Sequence, residues 1–451
     1  MAVWNTVPIS GIRSGFRIDA EFYRQENLNR DVAITRFPVS SLGSLSVVTD
    51  GEHGSVVFQK RGIKYLTAEH VKQGYIDAAS ARFIGNDVDA RNARARVCVG
   101  DVLISIKGTL GQVGVADEKV LPANMNRDVA IIKPKRKDYG YYLAAFLRSE
   151  YGQYQLAREG SGGVQQMITL SRLRKISIPK VPDDGVADVA NIYKRALNGY
   201  RAAQDFYSTA CAMLSEALKE NDLKFDRPLS YTTKYSDVMR EGRADADYFQ
   251  VPYIQLAQQI RKNAAGFVRL MEYCDFLSPN ANPEKAPNEE FSYVELADIN
   301  AGLGVIDACE KYRGGDLPSR ARRRVKAGDV LASSVVGSID KSAIIGKKQE
   351  GFIASTGFFH LRPRGVPSEF LLLLMRSTIV QMQLRQQATG GILSGVPGAR
   401  VRFVIVPKVD NDIQQEIAAK VREAHEKHKE SLVLLAAAKA RVEELIESAA
   451  K

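Results

Sequence analysis

An internal repeat constrains this chain more than any other feature, because a copied half is expected to fold as a copied unit. The second half echoes the first at an offset of about 228 residues, on four anchors. Arg17-Ile18-Asp19-Ala20-Glu21-Phe22-Tyr23 returns as Arg243-Ala244-Asp245-Ala246-Asp247-Tyr248-Phe249. Gly100-Asp101-Val102-Leu103-Ile104-Ser105 returns as Gly328-Asp329-Val330-Leu331-Ala332-Ser333. Ser161-Gly162-Gly163 leading to Ile176-Ser177-Ile178-Pro179 returns as Thr389-Gly390-Gly391 leading to Val404-Ile405-Val406-Pro407.

The fourth anchor is a long helix. Apolar or small residues recur as Val189, Tyr193, Ala196, Tyr200, Ala203, Tyr207, Ala210, Leu214 and Ala217, in alternating steps of four and three, which is a coiled-coil seam. The matching second set is Ile417, Val421, Ala424, His428, Ser431, Leu435, Ala438, Val442 and Leu445, the same register with two polar interruptions. A seam this narrow favours helix pairing over packing of each helix on its own domain. The order is domain, helix, domain, helix, so the paired helices are expected to run antiparallel about an approximate two-fold axis. At ~1.5 Å per residue such helices make a rod of roughly 50 Å.

Before each helix, short β-type runs such as Val102 to Ile106 and Val129 to Ile132 alternate with glycine and with helical stretches such as Tyr139 to Arg158. The expected fold class is mixed α/β (α+β): two similar globular domains and two long antiparallel helices forming a coiled coil, a pseudo-two-fold tandem repeat. Pro- and Asp-containing segments before each helix place the boundaries at 1–182, 183–225, 226–409 and 410–451.

The chain has 451 residues, of which 45% are hydrophobic, enough to fill two or three cores. Its net charge of +11 suits a polyanionic partner. Cys98, Cys211, Cys274 and Cys309 lack CxxC spacing, which supports neither a zinc cluster nor a disulfide framework and fits a reducing cytoplasm. The start, Met1-Ala2-Val3-Trp4, has no basic region followed by an apolar core, so no export signal and no membrane association are expected. The longest apolar run, Phe370-Leu371-Leu372-Leu373-Leu374-Met375, is far too short to span a bilayer and reads as a buried helix.

Catalytic signatures are weak. Lys107-Gly108-Thr109-Leu110-Gly111-Gln112-Val113-Gly114 matches neither dinucleotide nor phosphate-loop fingerprints, and its second copy is Val336-Gly337-Ser338-Ile339-Asp340-Lys341. A strand entering such a turn either holds amides and short polar groups near a phosphate or base edge, or is an ordinary hairpin. His425 and His428 lie on the long helix among Glu and Lys, and are expected to be solvated or seam residues rather than metal ligands. No GxSxG elbow marks a nucleophile. Asn282-Pro283-Glu284 fails the tetrapeptide of adenine methyltransferases, and Asp101 with Asp117-Glu118-Lys119 mimics a nuclease triplet that the second copy lacks.

Taken together, Gly100 to Ser105 with Lys107-Gly108-Thr109, Ser161-Gly162-Gly163-Val164-Gln165-Gln166 through Ile178-Pro179, and a long helix after each, resemble the specificity subunits of type I restriction-modification systems. The second copy departs from that pattern at Val336-Gly337-Ser338 and Leu393-Ser394-Gly395-Val396. The resemblance implies a non-catalytic, cytoplasmic subunit whose two target-recognition domains each read half of a split double-stranded DNA target, with the helices as a ruler. It implies two docked DNA methyltransferase (modification) subunits that use S-adenosylmethionine for adenine methylation, and restriction/translocase subunits. No cofactor and no metal is expected in this chain. Candidate phosphate contacts are Arg158, Arg172, Arg174, Arg322, Arg323, Arg324 and Lys341; base-edge candidates are Lys107, Gln112, Gln165 and Gln166. Thr109, Ser161, Ser338 and Thr389 are further DNA-binding candidates in the same loops. The rival readings are a coiled-coil scaffold or adaptor that binds no DNA, and a self-contained enzyme with an unrecognised site.

Overall fold

A computed structural model of the chain describes residues 23–136, 138–160, 167–390 and 394–448. It divides into two compact units, Met1–Arg201 with Lys427–Lys451, and Ala202–Glu426. Each unit therefore holds one half of each long helix. The helices run Asp183–Ala217 and Asn411–Ser448.

In the first unit one sheet has five strands in the order Ser46–Asp50, Val129–Pro134, Val102–Ser105, Val113–Val115, Gly74–Tyr75. Its central strand, Val102–Ser105, is buried along its whole length, which accounts for an unbroken apolar run where a half-exposed strand would alternate. One side meets the cluster of Leu66, Met125, Val129 and Ile131 around Leu103. Helix Tyr139–Arg148, eight of whose residues are buried, also packs against the strand. A second sheet runs Phe58–Gln59, Arg82–Ile84, Ile63–Leu66, Ala123–Met125.

The second unit repeats this order. Cys274–Phe276, Phe358–Pro363, Val330–Ser333 and Ser342–Ile344 form the sheet equivalent to the first four strands above. Both units share one parallel pairing, Tyr65 with Asn124 in the first and Tyr293 with Ile353 in the second, and the first unit adds a second between Gly74–Tyr75 and Val113–Val115. The sequence repeat is thus a repeat of the four-strand order of the central sheet, while the second sheets differ at their edges: Ala321–Arg324 extends the second unit's sheet beside Ile353–Ser355, and Phe58–Gln59 extends the first unit's beside Arg82–Ile84.

The helical stretch expected over Tyr139 to Arg158 breaks once, at Ser149. Its hydroxyl accepts from the Gly152 N–H at 3.2 Å and donates to the Phe146 carbonyl at 2.6 Å, so it caps a new helix, Glu150–Glu159. Gly152 has no alternative, since a Cβ there would sit 2.2 Å from the Phe146 oxygen. Ser377 caps the equivalent helix Thr378–Gln387 after the buried helix Ser368–Arg376, which contains the leucine run as expected.

Within each unit the two half-helices lie antiparallel. In the first, Arg441 Nε is 2.7 Å from Asp188 Oδ2, while His428 packs against Tyr200 with ring centroids 5.7 Å apart. In the second, Tyr207 stacks on His425. The seam from Val189 to Leu214 and from Ile417 to Val442 is buried throughout, both polar interruptions included. At both ends it slips by one residue: Ala217 and Leu445 are half-buried, and Leu218 and Ile446 take the inner positions. Straight helices turn every 3.6 residues, so a 3.5-residue stripe drifts off the contact face, as here. His428 is a seam residue, while His425 lies half-buried beside the seam and its ring bonds the Leu303 carbonyl at 2.8 Å. No helix among the described residues is long and apolar enough to cross a membrane.

Candidate nucleic-acid interface

Both central strands end in a serine that ties down the turn that follows. Ser105 Oγ donates to the Thr109 carbonyl and accepts from the Gln112 N–H at 3.0 Å, closing the loop Lys107 to Gln112. Gly108 and Gly111 have φ of +82° and +84°, conformations that glycine adopts without cost. Ser333 Oγ lies 3.1 Å from Ser338 Oγ, accepts from the Val335 N–H at 3.0 Å, and so holds a tighter turn. A second loop lies beside each turn: Lys107 bridges to Met167, and Val335 to Gly395. Lys107, Thr109 and Gln112 are at least partly exposed on this face, and Ser338 and Thr389 occupy the matching face of the second unit. Ser161, Gln165 and Gln166 lie outside the described residues, directly before Met167 in the chain.

The candidate arginines and Lys341 each make hydrogen bonds within the fold. Arg158 Nη1 holds Asp31 Oδ2 at 2.6 Å, Arg172 Nη1 donates to the Glu159 carbonyl at 3.0 Å, and Arg174 Nη2 to the Val48 carbonyl at 2.6 Å. Arg322 bonds Asn282 and Glu284, and Lys341 Nζ donates to the Leu296 carbonyl at 3.0 Å. Arg324 is exposed and reaches the Gly351 carbonyl at 3.4 Å. Arg323 corrects the sequence expectation: it is only 6% exposed and donates inward to the Leu277 carbonyl at 2.7 Å. The cause is strand alternation, for Ala321 and Arg323 point to the core while Arg322 and Arg324 face outward. Alternation was readable in the sequence, since Ala321, Arg323 and Val325 share one face.

At the other end of each central strand sits the repeated Asp. Burial pushes the Asp101 carboxyl above its ordinary value, and the Lys133 ammonium at 2.9 Å and the Cys98 N–H only partly offset this. Burial opposes ionisation of Asp329 too, but there His360, Arg362 and the Lys326 N–H prevail and hold the carboxyl down at about 2. These groups fix the strand and do not reach the loop face.

Sequence reasoning missed Arg127. It is exposed and joins the first unit's loop face only through the fold, because the Ile106 N–H donates to the neighbouring Asp128 carbonyl at 2.9 Å.

Residues 54–185 match the family model described as Type I restriction modification DNA specificity domain. A stretch of 121 residues is 26% identical to the Type I restriction enzyme EcoBI specificity subunit of Escherichia coli, covering 27% of this chain and 25% of that protein's length. Among solved structures, the chain is similar to the type I restriction-modification system S subunit from M. genitalium, with 12% identity, 92% of this chain, 96% of that chain and a TM-score of 0.39. It is also similar to the HsdS subunit from Thermoanaerobacter tengcongensis, with 14% identity, 91% and 96% coverage and a TM-score of 0.29. The resemblance carried by the sequence motifs is borne out by the family match, which spans the first unit's serine-tied loop.

Proposed function

We propose, for a chain whose residues 54–185 match the type I restriction modification DNA specificity domain, that it is the non-catalytic DNA-reading subunit of a restriction-modification assembly. One observation carries the reading: the domain match covers the loop tied by Ser105, and the second unit repeats that loop around Ser333 in the same strand order. Two similar faces suit a double-stranded target in two halves. Lys107, Thr109 and Gln112 are the contacts in the first face, joined by the segment of Ser161, Gln165 and Gln166; Ser338 and Thr389 are those of the second. The exposed Arg324 and Arg174, with Arg322, Arg172, Arg158 and Lys341, supply positive charge around them.

The long helices, of 35 and 38 residues, act in this proposal as the spacer between half-sites. Adenine methylation with S-adenosylmethionine belongs to two partner modification subunits, and cleavage to restriction/translocase subunits. The test is retention of the purified full chain on a mixed-sequence DNA duplex over a range of salt. Retention that weakens log-linearly with salt supports DNA reading. A chain that passes through at low salt is an adaptor, and methyl transfer by the chain alone makes it an enzyme.

A further inference from the structure

The outer ends of the two central strand pairs carry different chemistry at matching positions. In the first unit the Ile106 N–H donates to the Asp128 carbonyl at 2.9 Å, and the next residues beyond this bond are Lys107 on one chain segment and Arg127 on the other. In the second unit the Ser334 N–H donates to the Gly357 carbonyl at 2.9 Å, and the next residues are Val335 and Thr356. The equivalence extends one step further, since Lys107 bridges to Met167 as Val335 does to Gly395. Two cations therefore stand where the second unit has two neutral side chains.

Neighbouring carboxylates make bonds to other groups, except that Asp128 Oδ1 is buried without a hydrogen-bond partner among the described residues. Glu52, whose carbonyl accepts the Arg127 N–H at 3.0 Å, turns its carboxylate to the Gly54 N–H and to Asn92 Nδ2. Asp128 Oδ2 accepts from Asn126 Nδ2 at 2.9 Å, and Asp50 serves His53 and Arg94. Among the described residues no carboxylate forms an ion pair with Lys107 or Arg127. Like charges at the end of one strand pair repel unless an anion lies with them. The adjoining loop is open at Gly108, where an added Cβ would meet nothing within 4 Å, so a ligand can come close to the backbone. An ammonium acting as a point charge beside a planar guanidinium that binds bidentately is a pairing suited to phosphate.

We infer that Lys107 and Arg127 form a phosphate clamp on the DNA backbone that the first unit has and the second lacks. This rests on the DNA-reading function proposed above. It makes the two half-sites unequal: the first is held more by charge, and the second by neutral contacts from residues such as Ser338 and Thr389.

The test is the salt dependence of duplex binding by the full chain, on a mixed-sequence duplex, for Lys107→Ala, Arg127→Ala, the double variant and Arg195→Ala. Arg195 is an exposed cation on the first long helix and serves as the control. Each clamp substitution is expected to lower the slope of log affinity against log salt by about 0.9, and the double by about 1.8, while Arg195→Ala and Arg127→Lys keep it. All variants are expected to unfold at the wild-type midpoint. An unchanged slope in the double variant overturns the clamp and leaves DNA reading intact. A wild-type chain with no salt-dependent binding overturns both. A loss confined to duplexes with one particular base at one position shows base reading instead, and overturns the clamp.

Discussion

His360 Nε2 lies 2.7 Å from Asp329 Oδ2, in a fully buried position that the first unit fills with Ile131. Arg362 grips the same carboxylate at 2.8 and 2.9 Å, where the first unit has a single Lys133 bond to Asp101. One repeated aspartate thus sits in two electrostatic environments, and the two should titrate in opposite directions. Because Asp329 is held down to about 2, its stabilising contribution is complete above the unfolded value and is lost as pH falls through the folded one. Asp101 is raised, so its contribution is present at low pH and fades as pH rises through its folded value. Asp329→Asn is expected to cost on the order of 2 kcal/mol at neutral pH and little near pH 2; Asp101→Asn should cost less at neutral pH. Thermal unfolding of both variants between neutral and acid pH checks this, and equal losses would contradict it.

Ser105→Ala removes two side-chain hydrogen bonds that hold the Lys107 to Gln112 loop, worth about 1 kcal/mol each. The substitution should weaken duplex binding without changing its salt slope, since no cation is lost. Amide exchange at Gln112, whose N–H the serine accepts, should speed up. Weaker binding with an unchanged exchange rate would deny the serine its positioning role.

Ser431 is buried in the helical seam, and its hydroxyl has no hydrogen-bond partner among the described residues. Gly199 faces it across the seam, with room for a methyl, since an added Cβ would lie 3.5 Å from the Lys427 carbonyl and 3.6 Å from Ser431 Cβ. Ser431→Ala and Gly199→Ala are each expected to stabilise the chain by about 0.5–1 kcal/mol. A lower unfolding midpoint in either variant would show that the seam requires its polar or bare positions.

How much of this was legible in the sequence differs by feature. The seam was readable because helix contacts repeat at fixed spacing, and only its terminal slip to Leu218 and Ile446 needed three dimensions. The strand Val102–Ser105 and the leucine helix were readable as apolar runs. The loop face was half readable: Lys107 and Gln112 announce themselves beside glycines, but Arg127 stands 20 residues away and is brought in only by sheet register. Of the run Arg322-Arg323-Arg324 only Arg323 turns inward, because alternate members of one strand face opposite ways.

A heptad inserted at Ala203 and again at Ser431 keeps the packed face aligned and lengthens the helices by about 10 Å, near three base pairs of DNA at ~3.4 Å each. If the helices set the spacing, selection from a library of spacers should return one longer by about three base pairs. Return of the original spacer at full affinity would assign the ruler to the partner subunits.

The central claim is that two separate faces read two separate half-sites. Its most direct test replaces residues 1–180 with the matching part of a relative of different specificity, and maps methylated DNA from cells carrying the chimera with its partner subunits. One half of the target should change while the other half stays as it was. A change in both halves, or in neither, would contradict the account.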